Sequence, residues 1–213
     1  NRKISLWCTR RLMNTPVKPN HVTAVVFLVG ILSGPVMVLS GGYAGFVLGG
    51  FLYWFANVLD GCDGELSRLR HQGTELGAWF DTVVDDLVGL SFLLGLFYLL
   101  SSRSFFWVLA GCITILFYFL TLGPRYYVLA KYVGTGDYQV LSSQKVQKEP
   151  VTALERIMNF VETKVCRIDF WSFAAMVFAI LNIEELFAFL FMVGCTASVI
   201  DSLSVLQKMR KTQ

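Results

Sequence analysis

The chain has 213 residues, 55% of them hydrophobic and 15% charged, with a net charge of +3 and a mean hydropathy of +0.58. A water-soluble domain carries about a quarter charged residues and only about half apolar ones, so this composition excludes an ordinary soluble domain and points to an all-α integral membrane protein. The small positive surplus is what cytoplasmic membrane loops carry, and no nucleic-acid partner is expected from it.

The chain opens NRKISLWCTRRLMNTPVKPN, with neither an initiating methionine nor a signal peptide. Ile4, Leu6, Trp7 and Leu12 alternate with cations, which suits an amphipathic helix lying on the inner leaflet. The missing methionine leaves room for an upstream domain.

A hydrocarbon core of roughly 30 Å asks for about 20 apolar residues per helix. Six segments approach that length: 21–41, 44–69, 75–100, 105–131, 168–183 and 185–207. The fifth is short and is expected to continue a helix that begins near Val151. Lys and Arg gather before the first segment, after the second, between the fourth and fifth, and after the sixth, whereas the opposite side keeps only Arg103. This asymmetry predicts six transmembrane helices with both termini in the cytoplasm. Residues 1–19 are then an interfacial helix and linker, and 20–213 a six-helix bundle, together one membrane domain. The five cysteines, Cys8, Cys62, Cys112, Cys166 and Cys195, show no CxxC spacing and read as small apolar residues.

Five aspartates interrupt this apolar pattern at the edges of the second and third segments, in LDGCDGELSRLR (59–70) and GAWFDTVVDDLVG (77–89). At about 100° per residue, Asp60, Asp63, Gly64, Ser67 and Arg68 share one helix face. Asp81 and Asp85 stand at i and i+4 on the next helix, with Gly77 one turn earlier. Facing stripes on two helices joined by a short loop bring four carboxylates together. Such a group is costly near lipid unless a cation balances it, and carboxylates without His or Cys favour magnesium, manganese or calcium over zinc. Gly64 and Gly77 leave space for a close approach, though small residues also serve helix packing. Arg68 either snorkels to headgroups or meets a substrate phosphate.

The pattern D-x-x-D-G-x-x-S-R, eight residues, then G-x-x-x-D-x-x-x-D resembles the signature of the CDP-alcohol phosphotransferase family, with Ser67 where that signature has alanine. PNHVT, Pro19 to Thr23, is similar to the P-N-x-x-T often found where the family's first membrane helix begins. The resemblance implies transfer of a phosphoalcohol from a CDP-alcohol donor, a CDP-linked lipid or CDP-inositol, to a hydroxyl acceptor, with release of CMP. It implies that Asp60, Asp63, Asp81 and Asp85 bind divalent metal, Mg2+ or Mn2+ and as two ions, that Asp85 is the general base, and that Asn20, Thr23, Gly64, Ser67, Arg68 and Gly77 line the nucleotide site. Asp86 lies outside the pattern and is at most a supporting residue. Arg125, deep in the fourth segment after Gly123-Pro124, together with Lys131 and Arg167 is the candidate set for an acceptor phosphate.

NRKIS is similar to the junction that follows a cytidylyltransferase domain in the bifunctional inositol enzymes, which tilts the acceptor toward inositol phosphate and the branch toward di-myo-inositol phosphate phosphate synthase-like members. Glycerol phosphate is the alternative acceptor, and the family resemblance implies a homodimer in the bilayer. A cation transporter would spread acids through the membrane depth; here no acid falls in the first or fourth segment and the others sit near segment ends. A scaffold without activity is disfavoured by the intact aspartates.

Overall fold

Backbone polar groups within lipid must be satisfied inside the segment, and helices do this. The computed structural model describes residues 2–15, 19–70, 73–134, 136 and 168–211, and its regular structure is helical throughout. In chain order the helices are α1 (Arg2–Leu12), α2 (Pro19–Ile31), α3 (Ser33–Ser40), α4 (Gly42–Arg70), α5 (Glu75–Ser101), α6 (Phe105–Val128), α7 (Ile168–Ile180) and α8 (Glu184–Lys211), with a π-helical turn, Leu129–Val133, continuing α6. Among the described residues five stretches are long and apolar enough to cross a membrane, Pro19–Ser40, Gly42–Arg70, Glu75–Ser101, Phe105–Tyr132 and Glu184–Gln207, and Phe170–Ile180 is a shorter apolar helix. The expected start of the fifth segment near Val151 lies outside the described residues.

The first segment, read as one helix, is broken at Leu32 into α2 and α3. Pro35 has no N–H, so the carbonyl of Ile31, four residues earlier, lacks its helical donor. Ser91 of α5 supplies one, its hydroxyl donating to Ile31 O at 2.7 Å. The turn from α3 to α4 is also tighter than expected, with Tyr43 already helical. Gly41 and Gly42 both take positive φ, 59° and 48°, a region side-chain-bearing residues rarely adopt.

α4 is the central helix, packed on α1, α2, α3, α5 and α7, while α5 also meets α2, α3 and α6, and α8 lies against α6 and α7. Aromatic rings fill the middle: Tyr53 stacks on Phe92 at 4.4 Å, and Phe92 meets Phe187 edge-on at 6.0 Å. Small residues let backbones close up, as is common between membrane helices. A Cβ on Gly95 would stand 2.6 Å from Cα of Gly34.

α1 docks on α4 through an unusual face. Ser5 and Thr9 are buried, whereas Ile4, Leu6 and Trp7 are exposed. Both hydroxyls donate to the Glu65 carboxylate, at 3.2 and 2.9 Å. Arg70 donates to three carbonyls where the chain leaves α1, Leu12 O at 2.8 Å, Met13 O at 3.0 Å and Thr15 O at 2.7 Å. At the far end of the bundle Arg103 pairs with the buried Glu184 and with Glu185, the latter at 2.8 Å. Cys8, Cys62, Cys112 and Cys195 are free thiols, as expected; Cys166 is outside the described residues.

Candidate active site

The last turns of α4 and the first turns of α5 form one end of the bundle. Thr74, extended just before α5, caps it by accepting from Gly77 N at 3.0 Å, which fixes where the α5 aspartates start. One carboxylate oxygen each from Asp60, Asp63 and Asp81 then lies within 4.8 Å of the other two. Oδ1 of Asp60 and Oδ1 of Asp63 are buried and accept no hydrogen bond. Buried carboxylate oxygens left in this state are costly. An all-oxygen cluster of this size could hold a hard divalent cation, which would remove that cost. The residues therefore fit the metal that the sequence suggests.

Thr23 joins this cluster rather than standing apart from it. Its hydroxyl donates to Asp63 Oδ2 at 2.5 Å, fixing one member of the trio from α2. The other residues expected around a nucleotide gather at the same end. The guanidinium of Arg68 folds back over Gly64, 3.5 Å from where a Cβ would be. Asn20 Oδ1 is 3.5 Å from the corresponding position on Gly77, and Ser67 Oγ is 3.2 Å from that on Gly73.

Asp85 lies one turn deeper than Asp81 and outside the close trio, though near enough to interact electrostatically with Asp60, Asp63 and Asp81. It also lines a cavity of about 90 Å³ enclosed by α4, α5, α6, α7 and α8. Arg125 lines the same cavity, as do Asp86, Tyr53, Tyr118, Thr121 and Ser198 among its polar neighbours. Asp85 thus stands between the carboxylate trio and a chamber with a guanidinium on its wall.

The three expected acceptor cations are treated differently by the fold. Arg125 is in the chamber. Lys131 is exposed on the π-helical turn, its ammonium 3.1 Å from Tyr127 Oη and resting over the Tyr127 and Tyr132 rings, and it does not line the cavity. Arg167 lies outside the described residues. The turn after α6 folds back on α5, where Thr82 donates to Gly136 O at 2.7 Å.

Sequence reasoning gave Asp86 no defined task, and it passed over Tyr118 and Tyr126. Asp86 is buried, and its Oδ2 accepts from Tyr126 Oη at 2.7 Å while its backbone carbonyl accepts from Tyr118 Oη at 2.8 Å. A signal was present: Thr114, Tyr118, Thr121 and Arg125 stand at i, i+4, i+7 and i+11 in a largely apolar helix, a polar stripe along one face.

The chain matches the family model for CDP-alcohol phosphatidyltransferase over residues 17–200. It is 38% identical over 93 residues to a bifunctional IPC transferase and DIPP synthase of Archaeoglobus fulgidus, covering 44% of this chain and 18% of that protein. A protein of the same description from Thermococcus kodakarensis is 39% identical over 93 residues, 44% of this chain and 20% of its own length. The Aquifex aeolicus counterpart is 38% identical over 113 residues, 52% of this chain and 25% of its own. The chain thus spans about a quarter or less of these relatives. With the aspartate signature assembled in space and the match running through nearly all the described helices, the chain belongs to the CDP-alcohol phosphatidyltransferase family.

Proposed function

We propose that this chain, as a single membrane domain, transfers a phosphoinositol group from CDP-inositol to a hydroxyl of inositol phosphate and releases CMP. The observation that best supports this reading is the acidic trio Asp60, Asp63 and Asp81, with Asp85 near it on the lining of a cavity shared with Arg125. The family membership supports the CDP-alcohol donor, and the relatives described as bifunctional IPC transferase and DIPP synthase support the inositol branch.

Asp60, Asp63 and Asp81 would hold divalent metal, Mg2+ or Mn2+ and as a pair with help from Asp85. When bound, the metal would offset the charge of the pyrophosphate and ease departure of CMP. Asn20, Gly64, Ser67, Arg68 and Gly77 receive the CDP head, with Thr23 steadying Asp63. Arg125 holds the acceptor phosphate, with Lys131 and Arg167 as the further candidate cations for it. Asp85 takes the proton of the acceptor hydroxyl. That oxygen then bonds to the phosphorus carrying the donor alcohol, and the bond from that phosphorus to the bridging oxygen breaks, its electron pair leaving with CMP.

In this reading the bundle has six spans, with α7 belonging to the fifth. Both termini and the aspartates face the cytoplasm, and α1 lies at the inner leaflet with Trp7 outward. The working assembly is a homodimer.

The test is CMP release by purified protein with Mg2+ or Mn2+, offering CDP-inositol, CDP-diacylglycerol and a CDP-linked ether lipid against inositol phosphate and glycerol phosphate. Release from CDP-inositol with inositol phosphate, lost in Asp85→Asn, is expected. Release only from a lipid donor, or only with glycerol phosphate, replaces the substrate assignment. No release from any pair, with metal bound, overturns the reading.

A further inference from the structure

The cavity beside Asp85 has two unlike sides. Its charged lining groups among the described residues, Asp85, Asp86 and Arg125, come from α5 and α6, whereas α7 contributes Trp171 and α8 contributes Phe191 beside the small Gly194. Ser172 and Ala175, also on α7, are fully buried, but Trp171 is only partly so. The indole therefore keeps surface that the packing of the helices does not cover, and it borders the cavity.

That indole is held in place from α8. Gly194 has no side chain, and a Cβ there would fall 2.4 Å from Cζ2 of Trp171 and 3.1 Å from Cη2, so the ring occupies the space that any other residue at 194 would need. Phe191 meets the indole with 5.0 Å between ring centroids and 70° between planes, and Phe187 meets it at 6.1 Å and 75°. Edge-to-face pairs of this kind stabilise beyond the area they bury. A wall braced in this way is ordered before a ligand arrives, which removes part of the cost of binding.

A chamber with charge on one side and an aromatic wall on the other suits a ligand that is itself two-natured. A cyclic polyol with mostly equatorial hydroxyls carries its oxygens around the rim and its C–H bonds on the ring faces. A ring face can lie against an aromatic side chain, with many small dispersion contacts, while the rim meets polar groups. An open-chain polyol such as glycerol presents no comparable face. We propose that Trp171, seated against Gly194, is a specificity-determining residue of this chamber: it receives the C–H face of a cyclic polyol phosphate and so selects a ring over an open-chain acceptor. The proposal rests on the phosphotransfer reading for the entry of the acceptor into this cavity, and on the packing of α7 and α8 for the wall itself.

The experiment compares wild type, Trp171→Leu, Trp171→Phe and Gly194→Ala as detergent-solubilised proteins. It reads kcat and KM with inositol phosphate, the same constants or a competitive inhibition constant with glycerol phosphate, and Mn2+ affinity and thermal unfolding as checks on the fold. Trp171→Leu is expected to raise the KM for inositol phosphate about tenfold with kcat and Mn2+ affinity unchanged, the pattern of a lost binding contact, and to leave the glycerol phosphate constant where it was. Trp171→Phe keeps an aromatic wall and should stay within about threefold of wild type. Gly194→Ala, which displaces the indole, should shift the preference in the same direction as Trp171→Leu. Equal losses for both acceptors, or none for either, overturn the proposal and leave the phosphotransfer reading standing. Should Trp171→Leu fail to fold, Gly194→Ala and Trp171→Phe decide, and a wild-type preference in both overturns it. If wild type turns over no substrate pair, the phosphotransfer reading fails; equilibrium titration with inositol phosphate then tests the wall, which is overturned if wild type and Trp171→Leu bind it equally or wild type does not bind it, and upheld if only the variant is weakened.

Discussion

Thr23→Val removes one hydroxyl from a buried site and almost nothing else, because valine matches threonine in size and branching. The hydroxyl oxygen stands 2.5 Å from Asp63 Oδ2 and 3.3 Å from the Pro19 carbonyl, and its single proton goes to the nearer, charged acceptor. Asp63 already lacks a hydrogen bond on Oδ1, so the substitution strips a donor from a carboxylate that has few. A hydrogen bond to a charged group contributes about 1.5–3 kcal/mol, and a loss of about 2 kcal/mol corresponds to about 30-fold in an equilibrium constant. Because the hydroxyl holds Asp63 in the ionised, oriented form a cation needs, that loss should appear as about 30-fold weaker Mn2+ binding, within the range seen when the partner of a metal ligand is removed. Isothermal titration of the detergent-solubilised protein measures it directly. Thr23→Ser should recover most of the affinity. Wild-type affinity in Thr23→Val, or a serine variant as weak as the valine one, would refute the claim that Thr23 supports a metal ligand.

Asp81→Asn should abolish Mn2+ binding in the same titration while the protein stays folded, since it removes the only member of the trio on α5 and relieves repulsion among the acids. Ser91→Ala should lower stability by about 1–3 kcal/mol by orphaning the Ile31 carbonyl, with metal affinity intact, and adding Pro35→Ala should restore part of the loss by returning the missing N–H; thermal unfolding reads both. Arg103→Ala strands Glu184, whose side chain is 2% exposed, and should cost about 3 kcal/mol, the lower end for a broken buried pair because Arg103 is half exposed. Its unfolding temperature should fall further than that of Ser91→Ala, with no change in Mn2+ affinity.

The parts of this molecule that were legible in its sequence are those written in short-range spacing. Apolar runs of membrane length announced the helices, and carboxylates three and four apart announced the acidic faces, because a helix turns sequence spacing into direction. Asp60, Asp63 and Asp81 meet as that geometry requires. What remained hidden depends on contacts across the chain. Nothing near Thr23 indicates that its partner is Asp63, forty residues on. Asp86 sits beside a strong motif without belonging to it, and only the packing of α6 on α5 gives it Tyr126 and Tyr118. Pro35 was visible, but the carbonyl it frees must find another donor, and that donor, Ser91, comes from another segment. Lys131 had the right charge in the right stretch, yet its tyrosine neighbours hold it outside the chamber.

The grip of α4 on α1 has a mechanical consequence. Glu65, two residues from Asp63, holds Ser5 and Thr9, and Arg70 gathers three carbonyls where α1 ends. Those bonds span both ends of α1, so the two helices have little freedom to slide or hinge against each other. α1 then behaves as a ruler clamped to the helix that carries half of the acidic site. A push or twist applied to the short helix, by whatever it rests on, reaches Asp60 and Asp63 as a rigid displacement rather than being absorbed on the way.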